Sequence, residues 1–222
     1  MTIASAWREI RARVDAACER AGRSPADVTI VAVSKTQPAS AVLEALAAGA
    51  TEFGENYAQE LVAKMAECPP EARWHFIGRL QRNKAKLVAG KVALVHAVDS
   101  VELAAELGKR ATAIQPILIA VNVADEETKG GTTVSAASEL ARAIAAVPNV
   151  RIDGLMTMPP PNVDPRPIFE GLRALRDRIA GELGVPLPVL SMGMSSDFEI
   201  AIACGATHVR IGTAIFGARA RN

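Results

Sequence analysis

The sequence predicts an α/β fold: a single (β/α)₈ TIM barrel with one extra N-terminal helix, spanning residues 1–222 as one domain. Three observations carry that expectation. Eight short runs have strand character, and each is followed by a run of helical period. Neither a break in composition nor a long polar linker interrupts the alternation, which calls for parallel strands joined by crossover helices. The first strand leads into "SKTQP", where an open doubly wound sheet for dinucleotides would carry G-x-G-x-x-G.

In chain order, a helix over Ala6–Ala21 comes first, in a charged N-terminus of helical period. The strands then fall at Val28–Lys35, Thr51–Asn56, Arg73–Gly78, Leu94–Asp99, Gln115–Asn122, Arg151–Met158, Val189–Ser195 and Thr207–Gly212. The first of these alternates, so Val31, Val33 and Lys35 share one side of it. Between the strands lie the helical patterns "ASAVLEALAAG", "YAQELVAKMAE", "QRNKAKLVAG", "SVELAAELGKR", "TVSAASELARAIAAV", "PIFEGLRALRDRIAGEL" and "DFEIAIACG", several closed by a glycine where a C-cap would fall. Prolines from Pro159 to Pro167 mark a long loop after the sixth strand.

Half of the residues are apolar, enough for a substantial core. The 25 basic and 24 acidic side chains nearly cancel and form no basic run, so nucleic acid and membrane surfaces are excluded as expected partners and a small molecule is favoured. Cys18, Cys68 and Cys204 are far apart, without a CxxC or a nearby histidine pair, and read as reduced thiols in the cytoplasm. The N-terminus has no apolar core of a signal peptide, and no later run is apolar for a full membrane span.

A barrel of this kind carries its site at the C-terminal ends of the strands, often with phosphate bound after the seventh and eighth. Lys35 closes the first strand on the face its neighbours bury, where an ammonium must reach water or do chemistry. After the seventh strand, Ser196 and Glu199 have the spacing of a capping box, which leaves Ser195, beside Gly193, as a free hydroxyl at a helix start. "IGTAIFG" repeats the theme, with Gly212 permitting close approach and Thr213 offering a hydroxyl. Arg210, between Val209 and Ile211, is either a structural ion pair or a ligand contact at the mouth. A lysine, an anion cup and an arginine on one rim fit a phosphorylated aldehyde held as a Schiff base.

Other polar residues have plainer readings. His75, in "RWHFIG", fits a hydrogen-bonded core histidine as well as a site residue, His96 and His208 read as structural, and no spacing suggests a metal. Tyr57, the only tyrosine, reads as a packed or partly exposed ring at a helix start. Lys129, in "ADEETKGG", reads as a solvated loop cation, with a surface interaction role as the other reading.

At these residues the chain resembles the pyridoxal-phosphate homeostasis proteins, whose fold is similar to the barrel domain of bacterial alanine racemase. The resemblance runs through "AVSKTQP", "FGENYAQE", "WHFIGRLQRNK", "GLMTM", "LSMGMSSDFEIAIACG" and "VRIGTAIFGAR", nearly the whole chain. It implies that Lys35 carries pyridoxal 5′-phosphate as an internal aldimine, with Ser195, Gly212 and Thr213 around the phosphate. It also implies that Arg210 faces the pyridine nitrogen and that Asn56, His75 and Met194 line the pocket. Arg79 stands where family members often have proline or histidine, adding a cation near the mouth.

The resemblance makes the protein a cytoplasmic, monomeric carrier that buffers or delivers the cofactor to pyridoxal-phosphate-dependent apoenzymes, with little or no turnover. The alternative is an amino-acid racemase using the same linkage. A racemase would draw a second base from a tyrosine of a second, β-rich domain, and here the chain is expected to end after the barrel with Tyr57 alone. A third reading, a barrel whose lysine captures sugar-phosphate aldehydes, shares the anion cup and accounts less well for Arg210.

Overall fold

A computed structural model of the protein describes residues 2–124 and 130–217. Its strands are β1 (Thr29–Val33), β2 (Glu52–Glu55), β3 (Arg73–Phe76), β4 (Leu94–Val98), β5 (Gln115–Asn122), β6 (Thr132–Thr133), β7 (Val150–Met156), β8 (Val189–Ser191) and β9 (His208–Ile211). All pair in parallel, in the order β4-β3-β2-β1-β9-β8-β7-β5, and β4 pairs with β5 to close the ring. The eight strands of the ring are those the alternation predicts. The two-residue β6 is additional and extends from β5 at Val121 and Asn122.

The helices are α1 (Ile3–Arg20), α2 (Ala39–Ala47), α3 (Ala58–Glu67), α4 (Val101–Arg110), α5 (Ala137–Ala145), α6 (Arg166–Leu183), α7 (Phe198–Ala203) and α8 (Thr213–Phe216). The third crossover differs from its sequence reading. "QRNKAKLVAG" forms a 3₁₀ turn over Arg82–Leu87 rather than an α-helix, with Ala85, Val88 and Ala89 as the buried residues of the run and Gly90 leaving it at φ of 71°.

The extra helix α1 begins with a capping box: Thr2 Oγ1 accepts from Ser5 N at 3.2 Å, and Thr2 N donates to Ser5 Oγ at 3.1 Å. Its buried stripe of Trp7, Ile10, Val14, Ala17 and Cys18 packs where the ring meets α2, α7 and α8. Arg13 secures the join, with its guanidinium 4.9 Å from the Phe198 ring centroid and 3.2 Å from Glu199.

Strand alternation divides the core in two. One set of side chains, including Phe53, Trp74, Phe76, Ile117, Ile119 and Val209, joins the helices in one continuous apolar shell. The opposite set points into the ring, where the apolar cluster is only Leu94, Leu118, Ala120 and Met156. Beside them His75, His96, Ser191 and Arg210 are all buried. With Val31 and Val33 also buried on this side, the inside of the barrel mixes apolar and polar groups, whereas branched aliphatic layers dominate most such interiors. Among the described residues no helix is long and apolar enough to cross a membrane.

Candidate functional site

Lys35 is not the last residue of a strand. β1 ends at Val33, and Lys35 lies in the turn that follows, closed by Gln37 N donating to Ser34 O at 3.0 Å. Its partner in that turn, Thr36, has φ of 65°, a left-handed conformation that a β-branched residue adopts only under constraint. The constraint is a buried ionic cluster behind the wall. Lys64 Nζ donates to Ser34 O at 2.6 Å and to Glu55 Oε1 and Glu60 Oε1 at 2.7 Å each. Ser34 Oγ donates to Glu55 Oε1 at 2.6 Å, and Thr36 N donates to Glu60 Oε1 at 2.6 Å. The residues on both sides of Lys35 are thus tied to one lysine on α3. Burial pushes the Glu55 carboxyl above its ordinary range, against the hydrogen bonds from Lys64 and Ser34, and its Oε2 is left without a partner.

Above the ring, Lys35 opens into a cavity of about 460 Å³ whose wall also includes Asn56, Met194, Ser195, Arg210, Gly212 and Thr213. Apart from His75, every site residue named from the sequence reaches this one space. A larger opening of about 830 Å³ shares Asn56, Arg79 and Asp99 with it and leads outward over Tyr57, Gln81, Arg82 and Lys84. The amine, the paired hydroxyls and the buried guanidinium meet in the smaller one.

On one side of the cavity Thr213 Oγ1 donates to Ser195 Oγ at 3.3 Å, so the hydroxyls after β8 and β9 stand together. Gly193 permits this approach: at φ of 93°, a Cβ there would come within 2.6 Å of Ala201 Cβ and 3.0 Å of Phe198 Cα. A Cβ on Gly212 would sit 3.3 Å from Val33 O, tight against β1. The capping box expected at Ser196 and Glu199 is absent. Helix α7 starts at Phe198 with Asp197 as its N-cap, and Asp197 Oδ1 instead accepts from Met194 N at 2.6 Å, bracing the loop that carries Ser195. With six and four residues, α7 and α8 supply little dipole, so attraction for an anion falls to the hydroxyls.

Arg210 forms no ion pair among the described residues. Its Nη1 donates to Ser191 Oγ at 2.5 Å and its Nη2 to Thr157 O at 2.9 Å, leaving the remaining N–H groups to the cavity it lines. Burial lowers its pKa to about 10, so it remains a cation at neutral pH. His75 faces into the ring as alternation requires and is not among the residues lining the cavity: it is 3% exposed, with Nδ1 2.9 Å from His96 Nε2 and Nε2 2.8 Å from Glu52 Oε2. Tyr57 is 57% exposed on the outer rim of the larger opening. Lys129 lies outside the described residues.

Reading the sequence missed Lys64 and Glu55. The signal was present: Ala58, Leu61 and Lys64 share the buried face of α3, and Glu55 shares its side of β2 with Phe53. Asp99, which the sequence did not point to, and Ser196, read there only as a helix cap, also line the cavity. Cys18, Cys68 and Cys204 are unpaired, with thiols held up by burial. Among the described residues no group of histidine, cysteine or acidic side chains could hold a metal ion.

Residues 7–220 match the family model described as the alanine racemase N-terminal domain. A pyridoxal phosphate homeostasis protein of Aquifex aeolicus is 47% identical over 214 residues, covering 93% of this chain and 94% of its own. One of Escherichia coli strain K12 is 44% identical over 226 residues, covering 98% and 97%. Among solved structures, PipY of Synechococcus elongatus, crystallised with pyridoxal phosphate bound, superposes with a TM-score of 0.86 at 32% identity, covering 97% of this chain and all of that one.

Proposed function

This chain belongs to the pyridoxal phosphate homeostasis protein family, built on the alanine racemase N-terminal barrel, and from that premise we propose that it holds pyridoxal 5′-phosphate on Lys35 and buffers or delivers it, with little or no turnover. The observation that carries the reading is the convergence of one amine, two adjacent hydroxyls and one buried guanidinium on a cavity of about 460 Å³. The donor set fits the cofactor group by group. When bound, pyridoxal phosphate supplies an aldehyde that condenses with a primary amine, a phosphate that accepts hydrogen bonds, and a ring that can take up electron density.

Lys35 would supply the primary amine that condenses with such an aldehyde with loss of water, an attachment that water would reverse. Ser195 and Thr213 would donate hydrogen bonds to the phosphate, the Thr213 hydroxyl turning away from Ser195 to do so. Gly212 keeps the approach free of a side chain, and Met194 and Asn56 complete the wall. Arg210 only donates, so a ring nitrogen facing it must accept and stays unprotonated. An unprotonated ring is a weak electron sink, which disfavours removal of a Cα proton from a captured amino acid. Transfer to an apoenzyme would then require only hydrolytic release from Lys35, with no chemistry on the ring.

The test is borohydride reduction followed by peptide mapping. The wild type should carry the reduced adduct on the peptide spanning Val28 to Pro38, and Lys35→Ala should fold but form none. An adduct on another lysine would move the site. Replacing Ser195 and Thr213 together with alanine should weaken retention by about 3–6 kcal/mol if each donates one bond to the phosphate, at about 1.5–3 kcal/mol apiece. Robust racemisation of alanine by a homogeneous preparation would overturn the carrier reading in favour of an enzyme.

A further inference from the structure

Beneath the cavity the polar groups inside the ring form one continuous chain. Arg210 Nη1 donates to Ser191 Oγ at 2.5 Å, and Ser191 Oγ lies 2.8 Å from His96 Nδ1. His96 Nε2 is 2.9 Å from His75 Nδ1, and His75 Nε2 is 2.8 Å from Glu52 Oε2. Glu52 Oε1 meets Arg73 at 2.8 Å, and the Arg73 side chain is 64% exposed. Five strands contribute, β9, β8, β4, β3 and β2, and each step is at hydrogen-bond distance.

Chemistry at the two ends sets the direction of every proton between them. A guanidinium only donates and an ionised carboxylate only accepts. Glu52 therefore requires a proton on His75 Nε2, and in a neutral ring that leaves His75 Nδ1 as an acceptor. His96 must then donate from Nε2 and accept at Nδ1, and Ser191, already accepting from Arg210, must donate to His96. A proton added at His75 would reverse the two bonds above it and leave the Ser191 hydroxyl without an acceptor in the chain. Burial, reinforced by the neighbouring imidazoles and Arg210, holds His96 well below 6.5, so the ring between Ser191 and His75 stays neutral. His208, whose ring lies 5.8 Å from His75 and 6.2 Å from His96, is pushed down to about 3, mainly by burial, and bonds to Thr207 at 3.1 Å outside the chain.

We propose that Ser191, His96, His75 and Glu52 are positioning residues for Arg210, a one-way relay of hydrogen bonds that locks its guanidinium as a donor toward the cavity and couples it to a carboxylate lower in the ring. Its consequence for the cofactor rests on the reading of Arg210 given above; the proton positions do not. The relay makes the unprotonated ring nitrogen a property of the barrel interior rather than of Arg210 alone, and so reinforces carriage over turnover.

Nitrogen-15 spectra of the histidine-labelled protein, before and after loading with pyridoxal phosphate, test the assignment directly. At neutral pH, His75 and His96 should each show a protonated Nε2 and a bare Nδ1; a protonated Nδ1 on either ring overturns the relay. Positioning is tested with ring-labelled pyridoxal phosphate. Ser191→Ala should shift the ring-nitrogen resonance and weaken retention about tenfold, the loss of roughly one hydrogen bond to a charged group. Ser191→Thr should restore both, and His208→Asn, outside the chain, should leave both in place. An unmoved resonance in a folded Ser191→Ala protein sinks the positioning role. Absence of a Lys35 adduct in the wild type would instead sink the cofactor reading, with the histidine tautomers still reporting on the relay.

Discussion

Two buried charged networks flank the same stretch of barrel wall, and they are built in opposite ways. Behind the wall, Lys64 touches Glu55 and Glu60 directly at 2.7 Å, with side chains 5%, 0% and 23% exposed. Inside the ring, Arg210 and Glu52 carry opposite charges and are joined through a hydroxyl and two imidazole rings. The difference follows from what each network holds. The outer one must stiffen a strained turn, and direct ion contacts give short, inflexible struts. The inner one must keep a guanidinium available to a cavity, and a carboxylate in contact with it would take up the donors the cavity needs.

The comparison breaks most severely at Lys64. Lys64→Met keeps the apolar stem packed and strands Glu55 as an uncompensated buried carboxylate, which should cost about 3–5 kcal/mol in urea unfolding. A loss below about 1 kcal/mol would show that the cluster is not held by charge. On the inner side, Glu52→Gln should cost about 1–3 kcal/mol, because it removes one charged acceptor at a partly open end while Arg73 turns to water. If Glu52→Gln proved the more damaging, the ranking of direct contact over relay would be reversed.

Acid titration sharpens the same contrast. Burial raises the Glu52 carboxyl, but the His75 imidazole and the Arg73 guanidinium that face it more than reverse this and leave it below 4.5. Its contribution to stability is therefore present above the unfolded value of 4.5 and is lost as pH falls through the folded value. Glu55 has the opposite sign: its folded pKa is raised, so ionisation opposes folding above that value, and the cost is relieved as pH falls. Urea midpoints followed from neutral pH to about pH 4 should lose part of their acid-side decline in Glu52→Gln. In Glu55→Gln the decline should steepen relative to wild type. The smallest effect belongs to Thr36→Gly, which removes a left-handed strain of about 1–2 kcal/mol and adds backbone entropy to the unfolded chain, for a net gain below about 1 kcal/mol. A net loss would mean that the side chain of Thr36 contributes more than its backbone.

Much of this was readable beforehand, for local reasons. The alternation of strand and helix named all eight strands of the ring, and period two placed Lys35 with Val31 and Val33 before any contact was known. Ser195, Gly212 and Thr213 stood out because a glycine and a hydroxyl recur after two neighbouring strands, where a single instance would be only a helix start, and all three line the cavity. The 3₁₀ turn over Arg82–Leu87 was not readable, because Ala85, Val88 and Ala89 have the spacing of a buried helical stripe whichever kind of helix carries them. The capping box at Ser196 and Glu199 failed because Asp197, one residue later, serves the N-cap position and braces Met194.

The sequence by itself determined which side of each strand a residue faces, since that depends only on the two-residue repeat. Tertiary structure alone decided depth. His75 points inward as its position demands, yet whether it lines the mouth or lies beneath it depends on the stagger between neighbouring strands, which is settled only when the ring closes. The same closure brings Glu52, His75, His96, Ser191 and Arg210 together from five strands, and docking of α3 on the outer face sets Lys64 against the carbonyl of Ser34. Direction is a local property of the chain; depth and partnership are set by how the strands and helices meet.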